Sequence, residues 1–172
     1  SEEETLPSLA LGLAQNYLEK EGITPKPSAI NSEYLQLGKA VFIPFKNNDG
    51  GYIRSDDGGY QIIINYQQKT PFKIVSFTDV LEDKIQPNLM ENKIVLIGYI
   101  APSKEDNFFT PYSSSLVGNP PLNFGIEIHG YLTNYLINTA LGKQPLIKTL
   151  TETQEKLWIL IWSFISSFIL CK

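Results

Sequence analysis

The chain has 172 residues and is 42% hydrophobic and 12% aromatic, enough to bury a core of roughly 70% of the unfolded surface and unlike a disordered segment. Its net charge is −4, its pI is near 5.0, and Arg54 is its sole arginine. With no basic stripe to neutralise a phosphate backbone, nucleic acid is excluded as a partner.

The first predicted element is a helix. Leu6, Leu9, Ala10, Leu13, Ala14, Tyr17 and Leu18 recur on one stripe at the 3.6-residue period. Pro7 suits its first turn, Glu2 to Glu4 suit its positive end, and Gly22 suits a C-terminal cap. Residues 23–36 read as a connection, with some helical character near Ser32 to Leu37. Lys39 to Phe45 reads as a short edge strand, with Pro44 near its end. The following KNNDGGYIRSDDGG is dense in residues that tolerate positive φ, and it lacks the spacing and closing glutamate of an EF-hand. It is expected to be a turn-rich loop rather than a metal site.

Tyr60 to Tyr66 and Phe72 to Ser76 are β-branched and aromatic, the composition of strands. Ser76 or Thr78 is placed to cap a short helix over Asp79 to Asp83, and Pro87 to Glu91 makes a second turn. The apolar run Lys93 to Ile100 then reads as a buried strand. Strands that flank short helices predict an α/β fold, a single domain with a mostly parallel or mixed central sheet flanked by helices.

After Ile100 comes a loop of more than twenty residues stiffened by Pro102, Pro111, Pro120 and Pro121, a length associated with function or mobility. Ile128, Leu132, Tyr135 and Leu136 mark a helix from about Gly125 to Leu141, closed by Gly142. Finally, Leu157 to Cys171 is fifteen residues without a charge, with Trp158 and Trp162 near its start. A membrane span needs roughly 20 apolar residues. The run is apolar on all faces, so it predicts the start of a truncated transmembrane helix over residues 157–172, reached through a juxtamembrane linker over 149–156. The chain begins SEEE and stops inside this run, as a piece of a longer protein would.

Chemical groups are sparse. His129 is the single histidine, which excludes multi-histidine metal sites, and Cys171 is the single cysteine, which excludes an intrachain disulfide. No G-x-S-x-G presents a nucleophile, and Gly98 stands alone where a dinucleotide or phosphate loop needs several glycines. No metal and no cofactor is expected. A small polar ligand held by Asp106, Thr110, Pro111, Glu127 and His129, at the C-terminal ends of the strands, is the natural binding arrangement. Taken singly, Asp106 and Thr110 serve equally as groups that staple a loop.

The ordered set LPSLALGLAQ, INY, SFTDVLE, NKIVLIG, D-x-x-x-TP (Asp106 to Pro111) and GIEIHGYLTNYLIN (Gly125 to Asn138) resembles the second family of CHASE domains. The resemblance covers about Leu6 to Leu146. It departs where Tyr99 and Ile100 stand in place of the small pair the family often has, and where an upstream α/β segment is missing. It implies a non-catalytic sensor over residues 1–148, on the extracytoplasmic (periplasmic) side of a bacterial inner membrane. Such a sensor would bind an unknown small ligand and signal through a membrane helix from Leu157 onward to a cytoplasmic cyclase or kinase. A homodimer through the full-length receptor stays open. So do two alternatives: a membrane-anchored hydrolase using His129 with Asp106 or Glu127, and a structural or oligomerisation module.

Overall fold

The computed structural model describes residues 7–66, 72–100, 106–113 and 122–170. Expectations that rest on Glu2 to Glu4, Leu6, Pro102, Pro120, Pro121 and Cys171 lie outside them. The chain divides into two compact units, Ser1–Phe42 with Ile64–Leu146, and Ile43–Ile63 with Ile147–Lys172.

The first unit is built on two helices, α1 (Leu9–Glu19) and α3 (Gly125–Ala140), which pack against each other. The sequence dictates both ends of each. Ser8 caps α1, its Oγ accepting the Leu11 N–H at 3.3 Å, so that Pro7 precedes the cap. At the other end Gly22 adopts φ +72, its N–H bonds to the Glu19 carbonyl, and the Ile23 N–H bonds to the Leu18 carbonyl. Helix α3 ends in the same way. Gly142, at φ +75, donates to Thr139, and Lys143 donates to Asn138 at 2.8 Å, the paired bonds of a Schellman motif.

The predicted stripe of α1 buries Ala10, Ala14 and Leu18, while α3 buries Tyr131, Tyr135, Leu136 and Ala140. Small alanines let the two backbones approach, and Tyr135, 2% exposed, meets Phe42 edge-on at 6.5 Å. Thr139, buried in the last turn of α3, satisfies its hydroxyl within the helix by donating to the Tyr135 carbonyl at 2.7 Å.

Beside these helices lies a three-stranded antiparallel sheet, β1 (Pro25–Pro27), β2 (Leu35–Leu37) and β3 (Ala40–Phe42). The residues read as a connection thus meet two strands, and the segment near Ser32 to Leu37 is a turn, closed by the Tyr34 N–H on the Asn31 carbonyl, followed by strand β2 rather than a helix. Pro25 and Pro27 are tolerated because β1 is an edge. The β2–β3 hairpin turns on Gly38 at φ +56, and this glycine is pressed against α3. A Cβ there would stand 2.5 Å from the Ala140 carbonyl oxygen, which accepts the Lys39 N–H at 2.9 Å. A two-stranded antiparallel ribbon, β4 (Asn107–Phe108) with β5 (Asn123–Phe124), leads into α3.

The expected mostly parallel or mixed central sheet is corrected here. The sheets among the described residues are small and antiparallel, so the architecture is a mixed α/β one with four helices. Residues 72–76 and 94–98 form no strand among the described residues and join no ladder there. The same holds for residues 60–66. Within the run Lys93 to Ile100, residues 93–97 alternate as a strand would, while 97–100 are all exposed. Ile94 and Leu96 are half-buried, whereas Ile97 is 80% exposed. An apolar run fixes which residues seek cover; it does not supply the neighbouring strand. The short helix α2 (Phe77–Leu81) follows residues 72–76, capped by the Ser76 hydroxyl on the Thr78 N–H, two residues earlier than Asp79.

The second unit holds the Asn-Asp-Gly loop and helix α4 (Glu152–Leu170). The loop is stapled by its own side chains. Asp49 accepts the Lys46 N–H, Asp57 accepts that of Asn47, Asn48 accepts that of Arg54, and Asp56 accepts that of Gly58. Among the described residues no helix is long and apolar enough to cross a membrane.

Candidate functional site

The β4–β5 ribbon brings Asp106, Thr110 and Pro111 to the start of α3. Asp106 sits just before β4, and its carbonyl accepts the Gly125 N–H, the first of the helix, at 3.1 Å. Its carboxylate lies where a Cβ on residue 125 would be, so only glycine fits there. Four residues on, a turn runs from Thr110 to Ser113 with Pro111 at its second position, the place that suits a fixed φ. The Ser113 N–H bonds to the Thr110 carbonyl, and the Thr110 N–H bonds to the Ser113 hydroxyl, each at 2.9 Å.

The Thr110 hydroxyl donates to Asn123 Oδ1 at 3.0 Å, which ties the turn to β5. Asp106 and Pro111 are exposed, Thr110 is half-buried, and Ser113 is buried. The turn after β4 and the start of α3 are therefore joined through β5 by a short chain of polar contacts and backbone. Glu127 completes that chain, its Oε2 accepting the Phe124 N–H at 3.0 Å and so capping α3 from within the first turn.

His129 stands apart. It is exposed, and no hydrogen bond among the described residues connects its ring to Asp106, Glu127 or Ser113. A helix turns 100° per residue, so two residues after the capping Glu127 the side chain faces away from it. Of the five sequence candidates the structure gathers four at the ribbon and leaves His129 outside. Among the described residues no group of three or more His, Cys, Asp and Glu side chains gathers to hold a metal.

Two features escaped sequence reasoning. Asn123 has no motif around it, and its role follows only from the ribbon register that sets Asn123 against Phe108. The second is an apolar cleft of about 500 Å³ on the side of α3 that faces residues 72–76 and 94–98. Gly98 and Gly130 build its floor. A Cβ on Gly98 would meet the Ile126 side chain at 2.8 Å, and one on Gly130 would meet the Phe72 ring at 3.0 Å. Two glycines thirty-two apart in sequence leave no local pattern.

A polar turn thus meets the first turn of α3 beside an apolar cleft, the kind of concave apolar surface with a few polar groups on which small ligands commonly bind. A family model described as the CHASE2 domain matches residues 1–168, and the chain belongs to that family. It is thus an extracellular sensory domain of signalling proteins and not a catalytic one, of a kind that stands outside the cytoplasm in membrane receptors. No curated protein and no solved structure matches the chain.

Proposed function

We propose that this domain senses a small ligand on the periplasmic side of a bacterial inner membrane. Occupancy would reach α3 through the Asp106–Thr110–Asn123–Glu127 chain and pass along residues 143–156 to α4, which enters the membrane. A cytoplasmic cyclase or kinase would read the result. The observation that carries this reading is the direct bonding of the ribbon to the first turn of α3, by Asp106 O with Gly125 N–H and Glu127 Oε2 with Phe124 N–H. A ligand that engages the ribbon better in one arrangement biases the helix with it, because binding shifts a population only through differential contacts.

The composition of α4 supports the membrane part. Its first five residues hold Glu152, Glu155 and Lys156, and from Leu157 onward the side chains are apolar or serine. Ser163 and Ser166 donate to the carbonyls of Ile159 and Trp162, each at 2.8 Å, the way hydroxyls are satisfied where water is scarce. The hydrolase alternative has no such support, since His129 is separate from both carboxylates proposed to work with it.

The test joins the chain to a cytoplasmic adenylate cyclase in bacterial cells, with Lys20→Cys supplying the one reactive thiol after Cys171→Ser. A membrane-impermeant maleimide should label the introduced thiol in intact cells, and Thr110→Val should change cyclase output at unchanged protein level. Labelling only after permeabilisation, or output indifferent to both Thr110→Val and Glu127→Gln, contradicts the proposal.

A further inference from the structure

The apolar cleft beside α3 shares only Glu127 with the polar chain just described. Its lining includes Phe72, Val75, Phe77, Met90, Leu96 and Ile126, and its volume of about 500 Å³ lies within the range of small-molecule sites, roughly 300–1,000 Å³. Apolar side chains left this open are unusual on a soluble surface. Phe77 is 63% exposed and Ile74 58%.

Three charged residues line the cleft: Lys73, Lys93 and Glu127. Glu127 is committed through Oε2 to the cap of α3. Lys93 spends one donor on the Leu89 carbonyl at 2.9 Å, which holds its ammonium at the cleft and leaves it further donors. No ion pair engages Lys73 or Lys93 among the described residues. The lining thus combines a hydrocarbon interior with two ammonium groups, in a chain whose net charge is −4.

We infer that the cleft binds an amphiphilic monoanion, a small carboxylate with an aromatic or aliphatic body. The body displaces water from Phe72, Phe77, Leu96 and Ile126, and the carboxylate meets Lys93 and Lys73 in charge-assisted hydrogen bonds. A neutral ligand of the same shape gains the first contribution and forgoes the second. Identifying this ligand as the domain's signal rests on the sensory reading above; its binding does not.

The chain in nanodiscs of zwitterionic phosphatidylcholine is titrated with 4-phenylbutyrate and with 4-phenyl-1-butanol, against empty discs. Calorimetry should show one saturable site for the acid and about tenfold weaker binding for the alcohol, the scale of one charge-assisted hydrogen bond. The paired change Lys73→Gln with Lys93→Gln should bring the acid down to the alcohol, and Phe77→Ser, at an exposed position, should weaken both. The inference is overturned by no binding above empty discs, by equal affinities for acid and alcohol, or by indifference to the lysine pair. Cross-linking of Ile97→Cys between two copies that shuts out the acid also overturns it, by giving the cleft to a second chain. None of these failures touches the cyclase readout, which tests the sensory reading through the ribbon.

Discussion

Helices α3 and α4 are of similar length, sixteen and nineteen residues, and both are rich in apolar side chains, yet they meet opposite surroundings. Helix α3 turns Tyr131, Tyr135, Leu136 and Ala140 into protein and keeps polar residues such as Asn134 and His129 for its other faces. In α4, Trp158, Ile159, Trp162, Phe164 and Phe168 point in all directions and every one of them is exposed. A helix with one apolar stripe is solved by a protein neighbour; a helix apolar all round needs a solvent that is itself apolar. The distinction separates a helix that packs into protein from one whose apolar side chains stay exposed, the helix proposed above to enter the membrane.

The contrast should be plainest in core substitutions. Tyr135→Ala should cost about 3–5 kcal/mol and Leu136→Ala about 2–5 kcal/mol in urea unfolding of the chain, as buried large-to-small changes do. Phe168→Ala and Trp158→Ala should stay within about 0.5 kcal/mol, because neither leaves a cavity in protein. Equal losses in both helices would erase the distinction.

Next in size are the close approaches that shape the cleft. Gly130→Val and Gly98→Ala should each cost about 1–3 kcal/mol, since the new atoms meet the Phe72 ring and the Ile126 side chain at 3.0 and 2.8 Å. A stable Gly98→Ala variant would mean that residues 94–98 do not rest on α3 as described. Ser8→Ala should cost about 1 kcal/mol through the lost cap of α1, and Ser8→Asp should restore most of it.

The smallest effect concerns the start of α4. The Lys156 ammonium, hydrogen-bonded to Glu152, holds that carboxyl below the ordinary glutamate range. A depressed folded value means that the pair's contribution is present at neutral pH and fades as pH falls through and below that range. Circular dichroism should show slight loss of helix there, removed by Lys156→Gln and weakened by salt because the pair is fully exposed.

The helices were legible from sequence because their signals are local. The stripe from Leu9 to Leu18, the caps at Gly22 and Gly142, and the uncharged run after Leu157 need no knowledge of the rest of the chain. The expected bounds for α3, Gly125 to Leu141, differ from the observed ones by a single residue. Strand pairing was not legible, because it depends on which segments meet. Residues 93–100 carry every mark of a buried strand, while the strands that do pair include the proline-bearing Pro25–Pro27. The site was half legible. Asp106, Thr110 and Glu127 were marked by position after an apolar run, whereas Asn123 joins them only through the β4–β5 register and His129 was a lone side chain with no partner in its pattern.

The central contrast can be measured directly, because Trp158 and Trp162 are the two tryptophans of the chain, stacked edge-on at 5.6 Å in α4. Reconstituted into bilayers whose lipids carry bromine on the acyl chains, the protein should lose most of its tryptophan emission, and bromine near the headgroups should quench more strongly than bromine at the bilayer centre. Emission unchanged by brominated lipid would contradict a membrane role for α4 and return its apolar surface to a protein partner.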